Sequence, residues 1–196
     1  MIDLLSTRIS SKFVQHKIIS EDIADIYKYG VEITISSIIG FVLTLIIGFI
    51  FKSVMQTMIF YIVFVILRSL TGGYHASSYW KCNLLFSMIT VFVIFFSKAA
   101  TEVQSSVGII SILFLPAVSV FLWLAPIENH NKPIEKKRRI YFKTGSVLAA
   151  VILYILSLIL YINNHTFESA VIVTTMFITS VLCMITKFQK GENSHG

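Results

Sequence analysis

Six long apolar runs divide this chain, and no other feature constrains its fold so strongly. Val31 to Phe51 carries one charge, Glu32, at its edge. Val54 to Leu67 and Leu84 to Ser97 are shorter, Val107 to Ala125 contains Pro116, and Gly145 to Ile162 and Ser169 to Thr186 complete the set. Hydrocarbon offers the backbone no hydrogen-bond partners, so a spanning segment must satisfy its own N–H and C=O groups, as a helix does. Crossing about 30 Å of hydrocarbon takes roughly 17 to 25 helical residues. Four runs meet that length; the second and third reach it only by taking in polar flanks. Composition agrees, with 13% charged residues against about 25% in soluble domains, and a mean hydropathy of +0.81. The expected fold is an all-α polytopic membrane protein of about six transmembrane helices, the second and third short.

Residues 1–30 differ from the rest. Asp3, Arg8, Lys12, Lys17, Glu21, Asp22, Asp25 and Lys28 recur through them, with Ile2, Leu5, Ile9 and Phe13 at helical spacing between. That alternation predicts an amphipathic helix, either lying at the membrane surface or packed as a soluble helix on the loops. Ser20 followed by Glu21 and Asp22 has the form of the start of a second short helix, with acids in its first turn. A basic leader, apolar core and small-residue cleavage site are all missing from this stretch, so no removable signal peptide is expected. The expected organisation is 1–30 interfacial, 31–186 membrane domain with loops at 68–83 and 126–144, and 187–196 a tail.

Charge placement predicts orientation. With the N-terminus inside and six crossings, Arg8, Lys12, Lys17, Lys28, Arg68, Lys81, Lys132, Lys136, Lys137, Arg138, Arg139, Lys143, Lys187 and Lys190 fall on the inner side. Only Lys52 and Lys98, of 16 basic residues, fall outside. This bias predicts cytoplasmic termini. The two short runs also fit a re-entrant pair dipping in from the outer side, which leaves the parity unchanged; two short crossings are preferred, because Lys52 and Lys98 suit an outer interface. The net charge of +6 is therefore topological, and nucleic acid is not an expected partner. The cluster "NKPIEKKRRIYFK", 131–143, suits an anionic inner leaflet, where each cation contributes about 1 kcal/mol. Docking of an acidic peptide segment is a compatible second reading, with the lipid-facing role preferred. Two cysteines give no disulfide framework, and no metal or cofactor motif appears, so neither is expected.

Between the second and third runs lies "LRSLTGGYHASSYWKCN", 67–83, on the predicted inner side. Gly72-Gly73 ends the preceding helix, since glycine adopts backbone angles other residues avoid. His75 and Cys82 follow. On a helix, residues seven apart differ by about 20° in azimuth and stand roughly 10.5 Å apart along the axis. A direct contact therefore needs the glycine turn to fold His75 back, or substrate to close the pair. A thiol is only a few per cent ionised at neutral pH, and a neighbouring imidazole makes it a nucleophile for a peptide carbonyl. The same imidazolium can then protonate the leaving amine. Spacing alone leaves open a structural histidine beside a cysteine acting as a small hydrophobe. Cys183, among Val181, Leu182 and Met184 with no base nearby in sequence, is expected to be packing. A small transporter or exporter of a peptide or metabolite is the alternative class; the scarcity of ionisable residues within the runs counts against it.

The order Arg68, Gly72-Gly73, His75, Cys82 between two membrane segments resembles the accessory gene regulator protein B (AgrB) family. "LAPIENHNKPIEKKRR", 124–139, is similar to that family's proline-containing basic loop, and the length, polar N-terminus and six runs agree. The resemblance implies a bacterial plasma-membrane cysteine endopeptidase that processes the quorum-sensing propeptide AgrD. It implies catalytic roles for His75 and Cys82 and places the motif arginine and second glycine at Arg68 and Gly73. It further implies an acyl-enzyme thioester resolved into a thiolactone or lactone ring, and action as a homodimer. Lys136, Lys137, Arg138 and Arg139 are candidate contacts for an acidic part of the propeptide. A third catalytic residue is open among Asn83, Glu128, Asn129 and Asn131, and oxyanion donors among Ser77, Ser78 and the glycine-turn amides.

Overall fold

The computed structural model describes residues 2–72, 79–102, 106–127 and 136–192. Every regular element among them is helical: α1 (Ile2–Gln15), α2 (Ala24–Ile50), α3 (Val54–Thr71), α4 (Tyr79–Thr101), α5 (Ser106–Leu124), α6 (Lys136–Ile162) and α7 (Thr166–Glu192). Five helices are long and apolar enough to cross a membrane, with α5, which contains Pro116, as the shorter sixth. The second and third runs become full helices of 18 and 23 residues. α4 achieves this by beginning at Tyr79 and taking Trp80 to Asn83 into its first turns; nothing in that stretch breaks a helix.

Sharp reversals connect α2 to α3 and α6 to α7. α2 stops because Lys52 takes φ 51° and the Ser53 amide turns back to the Gly48 carbonyl at 2.8 Å. α6 stops alike at Asn164, φ 63°, with His165 N–H bonded to Leu160 O at 2.9 Å. Successive helices are therefore antiparallel. The ends of α3 and α5 and the starts of α2, α4 and α6 gather at one end of the bundle. The opposite end carries the α2–α3 reversal and the start of α7, joined by a 2.8 Å hydrogen bond from Gln56 Nε2 to Glu168 Oε1.

α7 is the axis of the bundle, packing against α3, α4, α5 and α6. Val171, Ile172, Val173 and Met176 are fully buried there. One apolar cluster joins α7 to α3, α5 and α6 through Leu67, Phe121, Ala150, Ile172 and Met176. A second joins it to α3 and α4 through Phe60, Phe64, Val93 and Val171. α7 also buries Thr175 and Thr179, whose hydroxyls donate to their own helix at Val171 O (2.6 Å) and Thr175 O (2.8 Å). Small side chains let helix backbones approach closely, and such contact drives association where lipid removes the hydrophobic incentive.

α1 docks on the first turns of α2. Lys28 Nζ lies 2.7 Å from Asp3 Oδ1, Ser6 Oγ donates to Glu32 Oε1 at 3.0 Å, and Ser10 Oγ donates to Ala24 O at 2.9 Å. The seam is polar, and Leu4 and Leu5 point outward. The separate short helix expected after Ser20 does not form. A single 3-10 turn at Glu21–Ile23 runs straight into α2, and Ser20 makes no side-chain cap. α2 thus spans 27 residues, about 40 Å, longer than the hydrocarbon thickness. Its first turns extend past the core and give α1 its seat.

Candidate functional site

The candidate site lies at the end of the bundle where α3 stops and α4 starts. Arg68 occupies the last turn of α3, its guanidinium carbon 5.6 Å from the Phe64 ring centroid. Four residues on, the Gly72 amide closes the helix on Arg68 O at 3.1 Å. Gly72 has φ 71° and ψ −157°, a combination that is essentially glycine's alone. Its backbone forms a parallel bridge with Ile127, and Ile127 N–H donates to Thr71 O at 2.9 Å. A Cβ on Gly72 would strike the Ile127 carbonyl oxygen. The segment after α5, Ala125-Pro126-Ile127, is therefore pinned to the mouth of the 68–83 loop. Ala125 and Ile127 are both buried in the core cluster that contains Leu67 and Cys183.

Cys82 is a free, half-buried thiol in the fourth residue of α4, between exposed Trp80 and buried Asn83. Asn83 turns to α2, where Ser36 Oγ donates to its Oδ1 at 3.3 Å; its own carbonyl accepts from Ser87 Oγ at 2.9 Å. The Ser36 hydrogen bond ties the first turns of α4, which carry Cys82, to α2. The hydrogen bond also gives Asn83, the one third-residue candidate among the described residues, a tie to α2. His75, Gly73, Ser77, Ser78, Glu128, Asn129 and Asn131 lie outside the described residues.

Lys136 and Lys137 form the first turn of α6, followed by exposed Arg138 and Arg139. Four cations at a helix N-terminus oppose the helix dipole, so this turn favours an anionic neighbour. Among the described residues, no group of three or more His, Cys, Asp or Glu could hold a metal ion.

Cys183 is packed as expected, 1% exposed, but its surroundings are not those of a mid-run residue. Its thiol meets the Thr71 hydroxyl and lies within electrostatic reach of Arg68. α7 thereby backs the junction at which α3 ends. The roles of Thr71, Ile127 and Ser36 were not visible in the sequence. The first two act through backbone atoms, and the third is an unremarkable serine in an apolar run.

The sequence profile described as AgrB, accessory gene regulator B, matches residues 6–186. A putative AgrB-like protein of Clostridium perfringens (strain SM101 / Type A) is 32% identical over 173 residues, 83% of this chain and 80% of the relative. A putative AgrB-like protein 2 of C. perfringens (strain 13 / Type A) is 31% identical over 174 residues, 84% and 80% of the two chains. Protein FsrB of Enterococcus faecalis is 28% identical over 131 residues, 67% of this chain and 54% of that protein. No solved structure matches.

Proposed function

Because the chain belongs to the accessory gene regulator B family, we propose that it processes a quorum-sensing propeptide as a membrane-embedded cysteine endopeptidase. Cys82 is the nucleophile and His75 its base. The imidazole takes the thiol proton, and Cys82 Sγ adds to the scissile carbonyl carbon. The C–N bond breaks as the imidazolium protonates the departing amine, leaving a thioester on Cys82. A cysteine thiol, or a serine hydroxyl, inside the peptide then displaces Cys82 Sγ. A thiolactone or lactone ring closes, and the enzyme thiol is restored. Water competes for the same acyl group. A tethered nucleophile prevails because its effective molarity reaches about 10⁵ M or more when correctly placed.

The observation that supports this best is the placing of Cys82. It is a free, partly accessible thiol in the first turns of α4, at the end of the bundle where the basic residues of α3 and α6 gather. The cationic first turn of α6 receives an acidic stretch of the propeptide or anionic headgroups. The apolar outer residues of α1, Leu4 and Leu5, flanked by Arg8 and Lys12, rest on the inner leaflet. Both termini are cytoplasmic, the membrane is the bacterial plasma membrane, and the working form is a homodimer.

The test is reconstitution with a candidate propeptide, followed by mass spectrometry. The wild type yields a cleaved product and a peptide-length adduct on the Cys82 fragment, whereas Cys82→Ser and His75→Ala yield neither. Intact processing by both variants overturns the proposal.

A further inference from the structure

The bridge between Gly72 and Ile127 lies at the edge of the apolar cluster that holds α3, α5, α6 and α7 together, and Ile127 is a member of that cluster. It joins two segments just where each leaves its helix. The joint is tightly specified. Ile127 N–H is committed to Thr71 O at 2.9 Å, and the Thr71 hydroxyl is committed to Leu67 O at 2.9 Å and Gly72 O at 3.0 Å. Thr71 is fully buried, and the Ile127 side chain is 7% exposed in the core. The Ala125 amide is tied back to Phe121 O at 3.2 Å. Gly72 is the residue type that permits both the backbone angle and the close approach of the Ile127 carbonyl.

We infer that Ala125–Ile127 is a positioning element of the catalytic site, with Gly72 and Ile127 as positioning residues that set how the chain departs from α3 toward its base. This rests on the assignment of Cys82 and His75 above. Position 75 lies three residues beyond Gly72, and an extended chain covers at most about 3.6 Å per residue. The base is therefore tethered within roughly 11 Å of the clasp. The backbone direction at Gly72 is where that reach begins. Cys82 is held independently, through Asn83 and Ser36, so an error at the clasp is not corrected at the thiol. Misplacements near 1 Å can cost about 100-fold in rate. The clasp thus controls the approach of base to thiol without touching substrate.

The experiment uses full-length protein in lipid nanodiscs, with iodoacetamide as probe. Alkylation of Cys82 is followed by mass spectrometry from pH 5 to 9 in the wild type, His75→Ala, Gly72→Ala, Ile127→Pro and Ile127→Val. Alkylation follows the thiolate fraction, and the mass of the fragment separates Cys82 from Cys183. Gly72→Ala introduces the colliding methyl, and Ile127→Pro removes the donated N–H. Ile127→Val keeps both the N–H and an apolar anchor. The wild type and Ile127→Val share one profile, with reaction near pH 6 on the order of tenfold faster than in His75→Ala. Gly72→Ala and Ile127→Pro, folded by circular dichroism, fall toward His75→Ala. If they fold and retain the wild-type profile, the clasp plays no positioning role and the inference is overturned while the dyad stands. If the wild type matches His75→Ala, the dyad itself fails and the inference falls with it. Hydrogen exchange on the wild type tests the joint independently of any variant's folding. The Ile127 amide is protected like the last turn of α3, and exchange at the rate of an open loop overturns the inference.

Discussion

Three glycines along α2 face three different environments, and substituting each by alanine should change stability with different sign. At Gly48, an added Cβ would sit 2.9 Å from the Val54 Cα and against the Thr57 hydroxyl. Val54 Cα is backbone and cannot rotate aside, so the α2–α3 reversal must open. Forcing a methyl into a packed site costs about 1–3 kcal/mol, and removing a helical glycine returns about 0.5–1 kcal/mol. The net expectation for Gly48→Ala is a loss of about 1–2 kcal/mol. At Gly40 the nearest atom is a Phe86 ring carbon at 3.7 Å, ordinary contact, so Gly40→Ala should be neutral or slightly stabilising. Gly30 is exposed with nothing within 4 Å, and Gly30→Ala should gain about 0.5–1 kcal/mol. The assay is unfolding of each purified variant by SDS in mixed micelles, followed by helical circular dichroism. A Gly48→Ala midpoint at or above that of Gly40→Ala would refute the close approach of α2 and α3.

The two cysteines should separate cleanly: Cys82→Ala abolishes propeptide cleavage, while Cys183→Ala, which removes a buried thiol beside Thr71, retains it and lowers stability by about 1 kcal/mol, read by product mass and SDS midpoint. Asn83→Ala removes the acceptor for Ser36. It should cost about 0.5–1.5 kcal/mol of stability and lower kcat more than it raises KM, measured by steady-state cleavage. The hydrogen bond and charge of Lys28 hold the Asp3 carboxyl below its ordinary range. Its contribution to α1 docking is therefore complete above the ordinary carboxylate value and lost as pH falls through the depressed one. A fluorophore on α1 should report release only in that acid window, and Asp3→Asn should abolish the transition.

The apolar runs made the helices and their order readable from the chain. Hydropathy reports the solvent a segment prefers, and that decides spanning segments almost unaided. Helix ends were less readable. The run from Leu84 reached spanning length only by taking in its polar flank, as α4 does by beginning at Tyr79, but the exact first residue was not readable, because polar residues at an interface neither favour nor forbid another turn. The merging of Glu21–Ile23 with α2 was hidden for a similar reason: acids after Ser20 suit the start of a short helix and of a long one equally. Cys82 stood out through its neighbourhood in sequence. Ile127, 55 residues from Gly72, did not, because a contact between amide and carbonyl leaves no side-chain signature. The environment of Cys183 was invisible likewise, since helical neighbours across a bundle are set by packing and not by adjacency.

The central position of α7 bears on how the molecule is made. Helices enter the membrane in the order of synthesis, and chains emerge at about 5–20 residues per second. For the time needed to add α7, the clusters around Leu67, Phe121 and Val93 lack the side chains that α7 contributes, Ile172, Met176 and Cys183 in one and Val171 in the other. The packing of α3, α4, α5 and α6 on α7 therefore forms last, and so does the backing that Cys183 gives the end of α3 at Thr71.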